Sequence, residues 1–452
     1  MDFSRFIDCN KRKNKEKYLL YKDSNLKNIE NLKKIGYPIT INKNQEGKSS
    51  LYDWSLVRFV KNNLIDMNNL DALNKLKLRE KPEIILDYSK NSFGELKINI
   101  NFNKKLSEKR KLLENNFNSN NIIFFFFDNL SRVHFYRQYK KTSNFLKKFF
   151  KYKGYTSNKI TYHAFEFLKY HKLDKFTLYN VIPMFSGVNF KSNYKKISIL
   201  KDYKKNGYVT CNIQDVCHKE LMKIGPLKGY VYIEFDHEYV APSCDPNIYK
   251  SGFGFFLSEN GIIKKCLYGK ENFDYGLEYG RQFWSKYKDN KRYLRIVNTY
   301  AHEYSGEKSK YTDNSLYNFL KDLYDSGQME NTTLYFAADH GYVGLFGIYK
   351  IINTNDWHAE YPLPILIIIE CDKKGMSYEN QYGKIAKNQQ NLVTPFDIYY
   401  TLFNNLYGPN YENNLYYNNL KNGESLFKYI NPRERTCAKY KIPKYHCRCK
   451  DI

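Results

Sequence analysis

The chain has 452 residues, enough for one large α/β domain with additions or for two ordinary domains. With 42% hydrophobic and 17% aromatic residues, it is not a disordered protein. Its net charge of +26 suits an anionic ligand, but the lysines are scattered and no zinc-finger spacing, phosphate loop or dinucleotide fingerprint is present, so we expect no nucleic-acid partner.

The first 115 residues are polar and rich in lysine. They contain one dense basic run at 11–17, typical of a solvated or juxtamembrane stretch, and short strand-like runs such as 82–88. We interpret residues 1–115 as an N-terminal elaboration packed on a core of residues 116–430, which a cysteine-rich tail of residues 431–452 follows. No signal peptide is visible, and no apolar run reaches the ~18 residues of a transmembrane helix.

The core alternates predicted strands and helices. The apolar run before Asp128 predicts a strand buried on both faces, as in a parallel sheet, and the apolar periodicity over 142–150 predicts an amphipathic helix. Further strands are predicted at 207–211, 295–298, 333–338 and 364–370, further helices at 315–326 and from 394 through 402, and a loop-rich insertion at 240–270. This alternation predicts an α/β fold with a mostly parallel sheet and helices on both of its faces.

Acidic residues follow two of the predicted strands. Asp128 follows the first, and Asp339 with His340 follows the strand at 333–338. Because ligands bind at the carboxyl ends of parallel strands, we expect these side chains to form a metal site, and Asp with neutral His suits Zn²⁺ or Mn²⁺. The alternative is that each Asp caps a following helix.

Thr177 and Asn180 stand three residues apart at the start of another apolar stretch. A hydroxyl on a divalent cation loses its proton more easily and becomes a nucleophile, so we predict Thr177 as both metal ligand and nucleophile. Asn180 would donate a hydrogen bond as charge builds on the substrate. The alternatives are a loop hydroxyl and a turn amide, and Ser131 is a rival nucleophile that could equally start a helix.

Eight short motifs that contain such polar or cysteine residues lie between about residue 119 and the end of the chain. They are Asp128-Asn-Leu-Ser-Arg132, Thr177-Leu-Tyr-Asn180-Val-Ile-Pro183, Ala301-His302-Glu303, Asp339-His340-Gly341, Glu360 with Pro364, Leu392-Val-Thr-Pro-Phe-Asp397, Arg435-Thr-Cys437-Ala and Ile442-Pro-Lys-Tyr-His-Cys447-Arg-Cys449. In this order they resemble the alkaline phosphatase superfamily, and more closely a sulfatase-like family of animal extracellular proteins of unassigned function. The resemblance implies an alkaline-phosphatase-like three-layer fold and a threonine nucleophile of the phosphodiesterase type.

The sequence departs from that pattern at several positions. Asn129 and Ala338 replace serines, and Ala301 and Glu303 flank His302 where the family has Ser and Asp. Asn298 stands where two-metal members have an aspartate, which weakens a second metal site. The residues that could still complete that site, or bind the substrate or its leaving group, are His302, His358 and Glu360.

The sulfatase subclass is disfavoured by the nucleophile. Cys244-Asp-Pro246 begins a formylglycine motif, but the arginine that should follow is absent, and Thr177 cannot become formylglycine. We therefore predict a metal-dependent hydrolase or transferase that acts on anionic phosphoric, less readily sulfuric, esters through a covalent threonine intermediate, with His302 stabilising charge or assisting the leaving group. The alternative is a secreted pseudoenzyme of the same fold that binds a glycan, a lipid headgroup or a protein without turnover.

The nine cysteines favour an oxidising compartment. Because the spacing of Cys447 and Cys449 is too tight for a zinc ribbon, we expect disulfides that tie the tails to the core. The cysteines considered for pairing are Cys9, Cys437, Cys447 and Cys449 at the ends, then Cys211 with Cys217 and Cys244 with Cys266, while Cys371 is expected to be a buried thiol. Asn331-Thr-Thr333 is a candidate glycosylation site.

The cysteines conflict with the lack of a signal peptide. Relatives in the resembled family often carry an N-terminal signal or anchor. We therefore expect an extracellular or secretory location, a targeting segment missing from this sequence, and membrane association through such an anchor.

Overall fold

A computed structural model describes most of the chain beyond residue 93. The described residues are 54–60, 63–64, 93–114, 119–189, 198–215, 235–239, 266–267, 270–302, 307–341, 360–373, 378–414 and 422–449. The basic run at 11–17, the predicted strand at 82–88 and most of the predicted insertion at 240–270 lie outside them.

Fifteen strands occur in the described residues. In chain order they are β1 (Trp54–Val60), β2 (Asn63–Leu64), β3 (Phe93–Ile98), β4 (Asn121–Phe127), β5 (Tyr155–Ser157), β6 (Ile160–Glu166), β7 (Lys169–Tyr170), β8 (Val209–Gln214), β9 (His237–Tyr239), β10 (Cys266–Leu267), β11 (Lys270–Glu271), β12 (Arg292–Asn298), β13 (Thr332–Ala338), β14 (Leu366–Lys373) and β15 (Leu392–Val393). Eight of them form one central sheet in the order β5-β6-β14-β13-β4-β12-β8-β9.

Nine α-helices accompany these strands in the same described part of the chain. They are α1 (Lys104–Lys111), α2 (Arg132–Gln138), α3 (Lys140–Lys147), α4 (Thr177–Ser186), α5 (Ile199–Lys205), α6 (Asn272–Lys286), α7 (Asp313–Asp325), α8 (Tyr378–Asn388) and α9 (Pro395–Tyr407). None of them combines the length and the apolar character that crossing a membrane requires.

The centre of the sheet is parallel. β13, β4, β12, β8 and β9 pair in parallel, whereas β14 pairs antiparallel with both β13 and β6. The six apolar residues of β4 alternate between two cores: Ile123, Phe125 and Phe127 face one, and their neighbours Ile122, Phe124 and Phe126 face the other. The predicted fold class, a mostly parallel sheet between two helical layers, is confirmed.

Each face of the sheet is covered by its own set of helices. The first core contains buried residues of α2, α3, α6 and α7, and the second contains residues of α4, α5, α8 and α9. The predicted helices at 142–150, 315–326 and 394–402 correspond to α3, α7 and α9, and the side chains of Thr394 and Asp397 cap α9 reciprocally. Gly207, with φ of 87°, closes the turn after α5, so β8 starts at Val209, later than the predicted strand.

The N-terminal boundary at residue 115 stays a prediction. Within the described residues before it, Ile100 is fully buried in the first core, and the guanidinium of Arg110 donates to Asp236 at 2.6 Å.

The C-terminal tail is held to the core by polar contacts and closes one disulfide on itself. Cys437 and Cys447 are bonded to each other, ten residues apart, so this bond does not tie the tail to the core as expected. Arg435 instead donates to both carboxylate oxygens of Asp397 at 2.8 and 2.9 Å, and the backbone N–H of Arg448 donates to Nε2 of His171. Cys371 is fully buried, as predicted, whereas Cys9, Cys217 and Cys244 lie outside the described residues.

Candidate metal centre

Two neighbouring parallel strands end side by side at the site. Phe127 of β4 pairs with Ala338 of β13, so Asp128 and Asp339 leave the sheet next to each other. One oxygen of each carboxylate and one ring nitrogen of His340 all lie within 4.8 Å of one another, and all three residues are buried. The strand ends thus bring together the three charged or imidazole ligands that the sequence proposes.

The carboxylate of Asp339 is oriented by backbone donors. Its Oδ1 accepts hydrogen bonds from the backbone N–H of His340 at 2.8 Å and of Asn129 at 3.2 Å. Its Oδ2 accepts none from the described residues, although Asp339 is fully buried, and lies 3.3 Å from Nε2 of His340. A buried carboxylate oxygen without a donor is costly, so a divalent cation fits this set of ligand atoms.

Asn129 has a structural role beside the ligands. Its φ of 67° lies in the left-handed region, which asparagine tolerates better than most residues. This conformation directs its N–H to Asp339, and its side-chain amide donates to the carbonyl of Ala301 at 3.0 Å. The departure from the family's serine therefore leaves the ligand carboxylate supported.

His340 presents Nε2 to the site. Its Nδ1 lies 3.0 Å from the carbonyl oxygen of Gly341, which places the ring proton on Nδ1 and the free lone pair on Nε2. Burial lowers the pKa of His340, so the ring is neutral near pH 7. A neutral imidazole with its outer nitrogen already hydrogen-bonded is the form that binds a metal ion.

Thr177 is the first residue of α4. Its Oγ1 lies 3.4 Å from Nε2 of His340, and the side chain is half-buried, so a substrate could reach it. The N-terminus of a helix carries unpaired N–H groups and a partial positive charge, which favour an anion at this position. The structure thus adds a helix start to the hydroxyl and metal ligands proposed from the sequence.

Asn180 is fully buried one turn into α4. Its Oδ1 accepts from the N–H of Leu173 at 2.7 Å, and its amide group donates to the carbonyls of Asp174 and Phe176 at 2.9 and 3.0 Å. These bonds hold the loop before Thr177. A donor role towards substrate would require breaking one of them, and the catalytic role stays a prediction.

The structure describes only some of the residues that the sequence offers for a second metal site. His302 places Nε2 3.9 Å from Oδ1 of Asp128 and is partly exposed. Asn298 is occupied elsewhere: its amide nitrogen donates to Thr312 and its oxygen accepts from the N–H of Tyr300. His358 and Glu303 lie outside the described residues.

The side chains of two other candidates, Glu360 and Ser131, are engaged with each other and with α2. Glu360 forms a two-point ion pair with Arg137 at 2.6 and 2.7 Å. Ser131, the rival nucleophile, donates to Glu360 at 2.8 Å and accepts from the N–H of His134 as the N-cap of α2. The helix cap predicted as an alternative at Asp128 thus belongs to Ser131.

One residue near the site carries no signal in the sequence. Lys172 is fully buried, and its ammonium lies 2.7 Å from the ring centroid of Tyr361, whose ring packs edge-on towards His340 at 6.4 Å. Among 73 lysines and arginines, nothing in the local pattern marks it. Its position depends on burial by distant segments, which spacing along the chain does not reveal.

Comparison with known proteins places the chain in a family. A protein family described as "Protein of unknown function (DUF229)" matches residues 61–452. The chain belongs to this family. The predicted relationship to a family of unassigned function is thereby confirmed, and no curated protein matches the chain significantly.

The solved structures that match the chain have low sequence identity to it. The lipoteichoic acid synthase LtaP from Listeria monocytogenes is 14% identical over 64% of this chain and 72% of its own, with a TM-score of 0.39. The C-terminal periplasmic domain of EcEptC from Escherichia coli is 13% identical over 72% and 89%, with a TM-score of 0.45. An alkaline phosphatase superfamily protein from Vibrio parahaemolyticus is 12% identical over 64% and 66%, with a TM-score of 0.42.

Proposed function

We propose that the protein is a metal-dependent hydrolase or transferase of phosphoric esters with Thr177 as its nucleophile. The observation that carries this proposal is the cluster of buried ligand atoms from Asp128, Asp339 and His340, with the Thr177 hydroxyl 3.4 Å from His340. A hydroxyl at a helix start beside two carboxylates and a neutral imidazole combines a nucleophile with a cation site.

Zinc is the metal that this set of residues favours. Asp128, Asp339, His340 and the Thr177 hydroxyl would hold it, and an imidazole nitrogen together with carboxylates suits Zn²⁺, or Mn²⁺, better than Mg²⁺. A divalent ion held there would lower the pKa of the Thr177 hydroxyl and offset negative charge on the ester. Two carboxylates and one dication together are neutral.

The chain's own residues divide the reaction between them. The Thr177 hydroxyl gives up its proton to solvent, and its oxygen forms a bond to phosphorus while the bond from phosphorus to the leaving oxygen breaks. The partly exposed His302 supplies a proton or positive charge to the leaving oxygen. Water or an acceptor alcohol then attacks phosphorus, the bond to Thr177 breaks, and the proton of the attacking group passes to the threonine oxygen, which returns the hydroxyl. The start of α4 stabilises the charge that develops on the transferred group.

A phosphorus ester suits this nucleophile better than a sulfate ester. The hydroxyl of Thr177 can attack phosphorus directly, but the residue cannot be converted to formylglycine. The Cys437–Cys447 disulfide supports folding in an oxidising, secretory compartment. Membrane association through an N-terminal anchor, and glycosylation at Asn331, remain part of this proposal.

A pseudoenzyme is the second candidate. Asn298 is neutral, and its side chain bonds to the hydroxyl of Thr312 and the backbone N–H of Tyr300, so one carboxylate of a two-metal site is absent from that position. Such a protein would keep the fold and bind a glycan, a lipid headgroup or a protein without turnover.

One experiment separates the two candidates. The zinc-loaded protein is incubated with bis(p-nitrophenyl) phosphate, p-nitrophenol release is followed, and the quenched protein is analysed by peptide mass spectrometry. The proposal predicts release of p-nitrophenol and a phosphoryl-linked adduct on the peptide that contains Thr177. Neither release nor adduct, in a protein that holds zinc, would favour the pseudoenzyme.

A further inference from the structure

Lys172 carries a buried amino group that no described residue satisfies with a hydrogen bond. The residue is 0% exposed, and Nζ makes no hydrogen bond to any described residue. Its contact is with the face of Tyr361, at 2.7 Å from the ring centroid. Burying a cation without an anionic partner is unfavourable, and the contact with the ring of Tyr361 offsets only part of that cost.

The C-terminal tail packs against two neighbours of Lys172. The ring of His446 packs edge-on against Tyr361 at 5.2 Å, and the preceding residue, His171, accepts a hydrogen bond from the N–H of Arg448 at 3.1 Å. Burial lowers the pKa of Lys172 to about 6, with Asp174 and Asp339 opposing that shift. The fold therefore maintains this group at a cost.

The position of Lys172 connects it to the proposed active site. It lies five residues before Thr177, in the loop that Asn180 holds, and Tyr361, whose ring it contacts, packs towards His340 at 6.4 Å. The carboxylates of Asp128 and Asp339 would be neutralised by one divalent ion. The lowered pKa leaves the Lys172 amine largely neutral near pH 7, and a bound phosphoryl oxygen would supply the negative charge that keeps a proton on Nζ.

We propose that the ammonium of Lys172 binds a non-bridging oxygen of the substrate's phosphoryl group. The inference rests on the proposed function and identifies the group that recognises the anionic part of the ester. A charge-assisted hydrogen bond in a buried site is stronger than one in water, so the anion itself supplies the partner that Lys172 lacks.

The test measures the binding of inorganic phosphate to the zinc-loaded full-length protein by calorimetry. Lys172→Met removes the charge and retains an unbranched apolar side chain against Tyr361. Lys148→Met is the matched control, because Lys148 also lies over a tyrosine ring, that of Tyr324, at 3.5 Å. That ring is on α7, at the end of the sheet where β13 begins, opposite the metal ligands.

We expect Lys172→Met to weaken phosphate binding by about tenfold to a hundredfold and Lys148→Met to leave it unchanged. Without phosphate, Lys172→Met should melt at the same or a higher temperature than the wild type, since a buried amino group that makes no hydrogen bond to the described residues is lost. A purely structural cation–π contact predicts the opposite: lower stability with unchanged phosphate binding.

The failure of this inference is distinguishable from failure of the proposed function. Unchanged phosphate affinity in Lys172→Met, with zinc retained, would overturn the inference and leave the function standing. Zinc-loaded wild type that neither binds phosphate nor cleaves bis(p-nitrophenyl) phosphate would contradict both. Failure of both Lys172→Met and Lys172→Gln to fold would assign the ammonium a structural role and overturn the inference.

Discussion

Thr177 lies beside the proposed metal ligands. It is the first residue of a ten-residue helix, and its hydroxyl lies 3.4 Å from Nε2 of His340, a neutral imidazole whose proton is on Nδ1. Asp128, Asp339 and His340 are buried, whereas Thr177 remains half-exposed. In the proposed site, the buried residues would hold the metal, and the Thr177 hydroxyl would both complete the ligand set and remain accessible for attack.

Thr177→Ala should abolish cleavage of bis(p-nitrophenyl) phosphate while zinc stays bound, because three ligands remain. Thr177→Ser, which keeps the hydroxyl, should retain measurable activity. Turnover and zinc content measured on the same samples decide between these outcomes. Wild-type turnover in Thr177→Ala would refute the nucleophile assignment.

At the residue scale, the sequence indicates candidate ligands better than it indicates the groups that support them. Asp128, Asp339 and His340 could be predicted because each follows a strand-like run. The loop-holding bonds of Asn180 and the burial of Lys172 could not, because they depend on backbone groups and rings brought in from other segments.

The helix that presents Thr177 ends at a tightly packed glycine. Gly187 has φ of 68°, and a Cβ there would lie 2.4 Å from the ring of Tyr399 on α9. Gly327, after α7, has a similar φ of 70° but no atom within 4 Å of its Cβ position. The two glycines share a backbone conformation and differ in packing.

We expect Gly187→Ala to destabilise the protein by about 1–3 kcal/mol more than Gly327→Ala does, since backbone strain is common to both and only the first displaces a buried ring. Urea denaturation of the two variants measures the difference. Equal destabilisation would mean that the packing of α4 on α9 adds nothing at this position.

At the element scale, the apolar pattern of the sequence predicts the central strands but not how the strands pair or where every helix lies. The apolar runs identify β4 and β13, but nothing in the run at 364–370 shows that β14 pairs antiparallel with both neighbours. No pattern predicts α6, which contains Gly276 and Gly280, residues with low helix propensity. A Cβ at either would lie within 3 Å of Ile213, so these glycines let the helix approach β8 closely.

Across the whole molecule, the ends of the sheet differ in their carboxyl groups. Asp128 and Asp339 lie at one end, and Glu370 and Asp372 lie at the other, where β14 runs past the start of β13. Burial raises the pKa of Asp372, and burial with the neighbouring Asp372 raises that of Glu370. The second end thus holds carboxyl groups that resist ionisation.

This pair predicts a loss of stability with rising pH. A carboxyl whose pKa is higher in the folded state holds its proton longer than in the unfolded chain. Stability therefore falls as pH rises from the ordinary carboxyl pKa of about 4 through the raised folded value. Asp372→Asn should raise the melting temperature at pH 8 by about 2–4 °C, and the gain should vanish near pH 4.

Thermal melts across that pH range test this prediction. Asp325→Asn is the control, because Asp325 is exposed and pairs with Lys321 on the same helix, so its removal should give no gain at pH 8. A gain for Asp372→Asn that persists unchanged at pH 4 would show that ionisation is not its cause.

The metal content of the purified protein tests the central claim most directly. Wild type, Asp339→Ala and Asp372→Asn are loaded with zinc, desalted and measured by elemental analysis; the last is a carboxylate control at the opposite end of the sheet. We predict about one zinc per chain in the wild type and in Asp372→Asn, and none in Asp339→Ala. A wild type that retains neither zinc nor manganese, or an Asp339→Ala variant that retains as much as the wild type, would contradict the account.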